Sequence, residues 1–286
     1  MPTLHAGCPM WAHRPWVGRY LPADTASGHE LFAYSRVLNA VEGNTTFYAS
    51  PNPATVAKWR DQALPGFRFV FKMPRPITHE RRLRGVAPDI AAFCRLMEPL
   101  GDLIGGFTFQ LPASFGPGDI GALDWALRQR PTEWRWSVEL RHPAFFHGSG
   151  RADVDAMLQR HGVERVLLDT ETLFAQPPTT DQGRDEWDQK PRVPALTDPL
   201  TDQPIVRFIG CDDPTATANG IARWQPIVAD WLRDGRTPTF FAHTPDNANT
   251  PALALGFHAA VSLLVPGLDP LPEPLPIVTQ EQGSLF

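Results

Sequence analysis

Cysteine is scarce in this sequence, and its distribution excludes a disulfide framework. Cys8, Cys94 and Cys211 are odd in number, far apart, and match no zinc-binding spacing. We interpret them as reduced, mostly buried thiols. The opening residues MPTLHAGCPMWAHRPW lack the basic and then apolar segments of a signal peptide, so we expect a cytoplasmic protein.

Long apolar runs and an excess of positive charge are also missing. The longest stretch without charge, residues 251–268, contains His258 and Ser262 and closes with Pro266 and Gly267, which favours a buried helix over a membrane span. The formal charge of −5 argues against binding nucleic acid or a membrane through bulk charge. A basic site confined to one part of the surface is compatible with this charge.

Proline is abundant instead, with 31 prolines in 286 residues, about twice the usual level of roughly 5%. Short aromatic-rich apolar runs alternate with amphipathic stretches, which indicates repeated βα units around a parallel sheet. Eight such runs predict a TIM-type (β/α)8 barrel, a single domain over residues 1–268, with a proline-rich tail over 269–286. Residues 175–203 are polar and rich in proline, and we predict a long loop over one end of the barrel. The predicted strands are 3–8, 40–48, 67–72, 106–111, 134–140, 165–169, 205–210 and 239–243.

Alternation within these strands predicts which side chains face the barrel lumen, because the apolar set should face the helices. The remaining set is polar, and it contains five cations against three carboxylates, a balance of +2. Positive charge inside an acidic protein suits an anionic substrate. The alternative is that these groups form only structural ion pairs, which we favour for Arg68 and Arg135 early in their strands. The predicted lumen set is His5, Glu42, Asn44, Thr46, Arg68, Lys72, Thr108, Gln110, Arg135, Glu139, Arg141, Asp169, Arg207 and His243.

Candidate site residues are those near the carboxyl ends of the strands, where barrel enzymes place their chemistry. Glu42, Glu139, Asp169 and His243 are the catalytic candidates, as acid, base or metal ligands. A divalent metal is an open alternative, because no ligand spacing motif supports one. Lys72, Arg141 and Arg207 are expected to form an oxyanion clamp. The substrate-binding candidates are Asn44, Tyr48, Lys72, His79, Gln110, Arg141, His142, Arg207, Asn247 and Asn249.

Two further features of this predicted site involve aromatic rings and a helix start. Trp11, Trp16 and Tyr48 follow early strands, where their rings can stack on a base or sugar or simply pack as a lid. Asn249 or Thr250 can cap the helix that begins near Pro251, leaving backbone N–H groups free for a phosphate. The alternative is that Asn249 only builds the turn.

Five segments stand out by their sequence and by their order along the chain. They are VEGNTTFY (41–48), FVFKMPRPITH (69–79), FTFQLPASF (107–115), SVELRHPAFF (137–146) and FAHTPDNANTPA (241–252). Together they resemble the YecE-like family, a bacterial domain of unknown function. The resemblance covers nearly the whole chain apart from the tail, and it implies a TIM-barrel-like fold with a polar cleft at one end, but no reaction. The segment IGCDD (209–213) departs from relatives, which often have a histidine-containing turn there.

The last five residues, QGSLF, resemble the short peptide by which bacterial DNA-processing proteins bind the replication sliding clamp. Gln282, Leu285 and Phe286 are the anchor residues that such a peptide would insert into a preformed pocket. Only Gly283 departs from the usual leucine. The alternative is that Leu285 and Phe286 fold back onto the barrel.

Three functions are compatible with these features. The first is hydrolysis of a phosphate-bearing substrate, with nucleic acid among the options. The second is a non-catalytic protein that binds a ligand or nucleic acid and is recruited to the clamp through its tail. The third is an isomerase or lyase that acts on a small sugar phosphate or sugar acid. Each uses the same predicted ligand, a phosphate- or carboxylate-bearing molecule held in the barrel cleft.

Overall fold

Eight short strands pair side by side in chain order, and the last strand pairs with the first to close a barrel. The pairs are all parallel. The computed structural model describes residues 1–276. The predicted TIM-type barrel and its single-domain organisation are confirmed. The strands are β1 His5–Cys8, β2 Ala40–Gly43, β3 Arg68–Lys72, β4 Ile104–Gln110, β5 Trp136–Glu139, β6 Glu164–Asp169, β7 Ile205–Ile209 and β8 Thr239–His243.

Helices surround the barrel, and many begin where a proline occupies the first turn, as the sequence predicts. Asn52 and Asp213 cap two of them by accepting hydrogen bonds from backbone N–H groups. Within residues 1–276 the α-helices are α1 Glu30–Tyr34, α2 Thr45–Tyr48, α3 Pro53–Gln62, α4 Ala87–Met97, α5 Ile120–Gln129, α6 Gly148–Arg160, α7 Asp181–Gln189, α8 Pro214–Ala222, α9 Trp224–Arg233 and α10 Thr250–Leu264.

Two predicted elements differ from the structure. The second strand ends at Gly43 rather than at residue 48, because α2 follows it. The Thr46 hydroxyl fixes this turn by donating to the carbonyl oxygens of Gly43 and Lys72, at 2.8 and 2.7 Å. The predicted loop 175–203 contains helix α7, whose first turn is capped when the Thr180 hydroxyl accepts a hydrogen bond from the N–H of Gly183.

The apolar phase of the strands packs outward against the helices, as predicted. Phe67, Phe69 and Phe71 are fully buried in this outer layer. Trp16 is also fully buried, and its indole N–H donates to the carbonyl oxygen of Asn247 at 2.8 Å. Trp11 packs edge-on against Trp59 with ring centroids 5.2 Å apart. The hypothesis that Trp16 stacks on a ligand is therefore wrong, because its ring is fully buried, whereas stacking by the partly buried Trp11 stays a prediction.

The inside of the barrel is layered rather than continuously polar. An apolar middle layer of Ala40, Val70 and Phe241 separates the two ends. His5, Arg68 and Arg135 line a small cavity of about 130 Å³ at the amino ends of the strands. The other polar residues of the predicted lumen gather mainly at the carboxyl ends. The lumen is therefore polar at both ends and apolar in the middle layer, and the prediction of one continuously polar lumen is wrong.

The long apolar stretch near the end of the chain forms α10, which buries Ala254, Phe257 and Val261 against the barrel. No helix within residues 1–276 is both long and apolar enough to cross a membrane. All three cysteines are buried free thiols, as predicted. The first residue of the predicted tail is attached to the start of the chain, since the N–H of Asp269 donates to the carbonyl of Pro2 at 3.0 Å. The boundary between residues 268 and 269 remains a prediction.

Candidate functional site

A cavity of about 560 Å³ opens at the carboxyl ends of the strands. Its size lies within the usual range of roughly 300–1,000 Å³ for small-molecule sites, and its position is the one that barrel enzymes use for catalysis. Nine of the predicted site residues line it. They are Asn44, Tyr48, Lys72, His79, Gln110, Arg141, Arg207, His243 and Asn247.

A buried ionic network forms the floor of this cavity. Arg207 Nε lies 3.0 Å from Glu42 Oε1. Lys72 Nζ lies 3.4 Å from Glu42 Oε2 and 3.9 Å from Glu139 Oε2. The Lys72 ammonium also donates to Gln110 Oε1 at 2.6 Å. Because β2, β3, β4, β5 and β7 each contribute one of these side chains, the barrel itself holds them in register.

Glu139 is held from above by Arg141. The guanidinium donates from Nε and Nη2 to Glu139 Oε1, at 2.7 and 2.6 Å. Within residues 1–276, the second oxygen of Glu139, Oε2, is buried and accepts no hydrogen bond, and Arg207 Nη1 donates none. A buried carboxylate oxygen and a buried N–H group without partners are costly, and both belong to the network beneath the cavity.

Charge keeps both carboxylates ionised. Burial raises the pKa of Glu42, but the positive charges of Arg207 and Lys72 outweigh it and hold that pKa below its usual value. Burial likewise raises the pKa of Glu139, and the charges of Arg141, Lys72 and Arg207 bring it well below its usual value. The two carboxylates are therefore negative at neutral pH.

Two basic groups shift in the opposite direction. Burial, followed by the nearby charge of Arg207, lowers the pKa of Lys72 from 10.5 to about 8. Burial and the same guanidinium also lower the pKa of His243 well below its usual value, so this imidazole is neutral. A guanidinium only donates, so the Arg207 Nη2 to His243 Nδ1 contact of 3.5 Å places the imidazole proton on Nε2.

Helix α7 covers the cavity with residues that we did not predict. Lys190 Nζ lies 2.7 Å from Glu186 Oε2. The same oxygen lies 3.7 Å from His243 Nε2. Glu186, Gln189 and Lys190 line the cavity together with Arg75. Thr180, which caps α7, is the feature of the sequence from which this helix could have been predicted. Nothing in the sequence of α7 indicates that the helix packs over the mouth of the barrel.

Aromatic side chains form one rim of the opening. Phe47 packs edge-on against both Tyr48 and His79, with ring centroids 5.2 and 4.9 Å away. Tyr48 is 80% exposed, so its ring faces the solvent at the mouth. Burial and the charges of Arg141 and Arg75 lower the pKa of His79 to about 4, so its ring is neutral.

Three predicted site residues lie elsewhere. Asp169 has the wrong phase on β6: it faces outward and accepts a hydrogen bond from the indole N–H of Trp224 at 2.7 Å. His142 lies beside the cavity lining and accepts from the N–H of Ala144 at 3.2 Å, which caps a short 3-10 turn. Asn249 is exposed, and its side-chain oxygen accepts from Arg19.

The predicted helix cap near Asn249 is also wrong. Within the described residues, neither Asn249 nor Thr250 uses its side chain to cap the first turn of α10. The Thr250 hydroxyl instead donates to the side-chain oxygen of Asn247 at 3.3 Å. Asn247 adopts a left-handed conformation, φ 56°, and is buried beside the cavity. Its backbone is fixed by the hydrogen bond from Trp16 described above.

A resident metal has no donor set in the described part of the chain. Residues 1–276 contain no group of three histidine, cysteine, aspartate or glutamate side chains close enough to share an ion. Glu42 and Glu139 are instead neutralised by lysine and arginine. The predicted partner-binding residues Gln282, Leu285 and Phe286 lie outside the described residues.

The fold and this site define a (β/α)8 barrel with an ionic network at the floor of a cleft. The family model described as "Protein of unknown function DUF72" matches residues 5–276. The chain is 36% identical over 284 residues to UPF0759 protein YecE of Escherichia coli K12, covering 99% of this chain and 100% of that protein. The O157:H7 protein of the same name gives the same identity and coverage. The chain therefore belongs to the DUF72 family, and the predicted resemblance is confirmed.

Solved structures support the same fold. A DUF72 family protein from Enterococcus faecalis superposes with a TM-score of 0.67 at 18% identity, covering 92% of this chain and 95% of that chain. A DUF72 family protein from Thermotoga maritima gives a TM-score of 0.67 at 20% identity, covering 91% and 99%. At these identities the superpositions show the barrel and say nothing about the reaction.

Proposed function

We propose that the cleft is the active site of an enzyme that binds a small phosphate- or carboxylate-bearing molecule. The observation that carries this proposal is the charge of the cleft. Five cations and one carboxylate line it, and two more carboxylates lie in the network beneath it, which leaves an excess of two positive charges in a protein of formal charge −5. The cations are Lys72, Arg75, Arg141, Lys190 and Arg207, and the carboxylates are Glu42, Glu139 and Glu186.

The arrangement of donors favours an anion over a neutral ligand. Arg207 is oriented by Glu42 through Nε, and its Nη1 group has no acceptor within residues 1–276. Arg75 is exposed at the rim, and Lys190 reaches in from α7. A phosphate or carboxylate offers the planar or clustered oxygens that guanidinium groups bind most strongly.

The chemistry that these residues can supply is proton transfer. Lys72 lines the cavity and has a pKa of about 8, near the range in which an amine both gives and takes protons. Glu139 lies beneath the lining, and its Oε2 atom, 3.9 Å from Lys72 Nζ, has no hydrogen-bond donor within the described residues, so it can receive the proton that Lys72 removes. Hydrolysis uses this pair to activate water, and isomerisation or elimination uses it to remove a proton next to a carbonyl.

A small ligand fits this cleft better than a nucleic-acid duplex. Helix α7 lies over the cavity and contributes Glu186 and Gln189 to its lining, so the cations face a covered cavity and not a surface along which a duplex backbone could lie. The cationic groups surround one cavity of about 560 Å³, and the protein as a whole is acidic. We therefore place the hydrolase, isomerase and lyase options ahead of nucleic-acid processing.

Anion binding tests this proposal directly. Calorimetric titration with inorganic phosphate and with citrate is expected to show binding that weakens about tenfold in Arg75→Gln and in Lys190→Gln, as the loss of one charged hydrogen bond implies. Arg223→Gln is the matched control, because Arg223 is also exposed and paired with a glutamate but lies outside the cleft. Equal binding by all four proteins would refute the anion site.

Catalysis is tested separately with Glu139→Gln. A panel of phosphate esters, sugar phosphates and sugar acids is incubated with each protein, and consumption is followed by phosphorus and proton NMR. We expect turnover by the wild type to fall by about 100-fold or more in the variant, the usual contribution of a general base. If the variant consumes the substrate as fast as the wild type, Glu139 is not the base.

A further inference from the structure

Lysine is the rare basic residue of this protein. Of 26 basic side chains only Lys58, Lys72 and Lys190 are lysines, and the rest are arginines. Two of these three lysines line the cavity of about 560 Å³ at the carboxyl ends of the strands. Where only a positive charge is needed, this chain uses arginine almost everywhere. A lysine differs from an arginine in one chemical respect that matters here, because its amine can become neutral and act as a nucleophile.

Lys72 is placed for such a reaction. Its amine lies at the floor of the cavity, 2.6 Å from Gln110 Oε1 and within 4 Å of one oxygen of Glu42 and one of Glu139. Only 4% of the side chain is exposed, so bulk water scarcely reaches it. Lys190, by contrast, is held by Glu186 at 2.7 Å on the covering helix. Lys58 lies on the exposed face of α3.

We propose that Lys72 forms a covalent imine with an aldehyde or ketone that carries a phosphate or carboxylate. This inference rests on the proposed function, because the anionic group of the substrate would be held by the cations of the cleft. It names the substrate class that the anion site alone leaves open. A desolvated lysine next to another cation is a recognised arrangement for an imine-forming nucleophile.

The step balances without an oxidant or reductant. The neutral amine adds to the carbonyl carbon and forms a C–N bond, and the carbonyl oxygen takes up the proton that the ammonium released. The C–O bond then breaks, and the oxygen leaves as water with two protons that came from the nitrogen. The net reaction converts an ammonium and a carbonyl compound into a protonated imine and water, and the single positive charge stays on nitrogen.

The carboxylates around Lys72 suit each part of this step. The negative charges of Glu42 and Glu139 neutralise the positive charge on the Lys72 nitrogen, both in the ammonium and in the protonated imine. Glu139 Oε2 has no hydrogen-bond donor among the described residues, so it can take the proton from the attacking amine and return it to the departing hydroxyl group. The same oxygen can then remove a proton from the carbon next to the imine.

Reductive trapping tests the proposal on the full-length protein. Pyruvate, glyoxylate and dihydroxyacetone phosphate serve as probes, sodium cyanoborohydride reduces any imine to a stable amine, and peptide mass spectrometry locates it. At pH 7 a pKa of about 8 leaves about a tenth of the Lys72 amine neutral, against about three in ten thousand for an ordinary lysine. We expect at least about tenfold more label on Lys72 than on Lys58 with at least one probe.

The controls distinguish imine formation at Lys72 from anion binding in the cleft. Lys72→Arg keeps the charge and cannot form an imine, so labelling at this position is lost, whereas Lys58→Arg, outside the cleft, retains the label on Lys72. Mapping on the wild-type chain decides the question even if Lys72→Arg fails to fold. Phosphate binding without label on Lys72, or label shared equally with Lys58, overturns the imine and leaves the proposed function intact. Failure of both phosphate binding and labelling overturns both.

Discussion

Glu139→Gln is the substitution that most directly tests how much the buried ionic network contributes to stability. Glutamine has nearly the shape of glutamate, so the packing of β5 is preserved and only the charge is removed. Its side-chain oxygen can still accept a hydrogen bond from Arg141. The substitution leaves Glu42 as the remaining carboxylate between Lys72 and Arg207, and the charge of the cleft rises from +2 to +3.

The expected cost follows from the burial of Glu139, whose side chain is fully inaccessible to solvent. Removing one partner of a buried ion pair typically costs about 3–5 kcal/mol, and the retained hydrogen bond from Arg141 places the expected loss near about 3 kcal/mol. Total stabilities are about 5–15 kcal/mol, so this is a large fraction. At a urea dependence of about 3 kcal/mol per molar, the unfolding midpoint falls by about 1 M.

The pH dependence of this loss has a definite sign. The folded-state pKa of Glu139 is depressed, because neighbouring cations outweigh the effect of burial. Its stabilising contribution is therefore complete above the ordinary value of 4.5 and is lost as the pH falls toward the folded-state pKa. The difference in stability between wild type and variant should be constant from about pH 6 to 8 and should shrink below about pH 4.5.

Urea unfolding followed by tryptophan fluorescence measures this difference, with Glu171→Gln as the control. Glu171 is also paired with an arginine, at 2.8 Å, but it is 43% exposed, and an exposed pair contributes only about 0.2–1 kcal/mol. A loss below about 1 kcal/mol in Glu139→Gln, or a loss unchanged at pH 3, would refute the reasoning. Phosphate should meanwhile bind more tightly to the variant, because a repulsive charge has been removed.

Three further outcomes are expected. Because the pKa of Lys72 is lowered to about 8 in the folded protein, the unfolded chain binds one more proton than the folded chain between about pH 8 and 10.5. The free energy of unfolding of the wild type, measured in urea, should therefore increase with pH in this range. Lys72→Met should lack this increase. Asp169→Asn weakens the hydrogen bond from Trp224 and should cost about 1–3 kcal/mol without changing phosphate affinity in calorimetry. The tail peptide predicts that the full-length chain binds purified replication sliding clamp with micromolar affinity in surface plasmon resonance and that deleting Leu285 and Phe286 abolishes this binding. Absence of binding by the full-length chain, or binding unchanged by the deletion, would exclude the tail peptide.

Most of the barrel could be predicted because its strands carry a period-two pattern that only one arrangement satisfies. Phe67, Phe69 and Phe71 must lie on one face, and that face must be covered by helices. The exception is β6, which is buried throughout and carries charged side chains in its outward phase. Arg165 and Asp169 share the outward phase, each paired with a helix residue, so polarity was a misleading guide to the lumen there.

The floor of the site could be predicted for the same reason that the barrel could. Glu42, Lys72, Glu139 and Arg207 occupy the inward phase close to the carboxyl ends of their strands, so topology alone brings them together. The covering residues could not be found in this way. Glu186 and Lys190 reach the cleft only because α7 packs over it, and local sequence does not encode where a surface helix docks on the rest of the fold.

The apolar middle layer of the barrel interior indicates that the ionic network beside it is not needed to fill the barrel. Ala40, Val70 and Phe241 fill the middle layer with apolar side chains, as barrel interiors usually do. Replacing a buried ion network with well-packed apolar residues is often neutral or stabilising by about 1–4 kcal/mol. The charged layer that contains Glu42 and Lys72 therefore stabilises the fold less than apolar side chains in the same place would. A charged floor beneath an open cavity, built where apolar packing was available, supports the proposal that those charges bind a ligand.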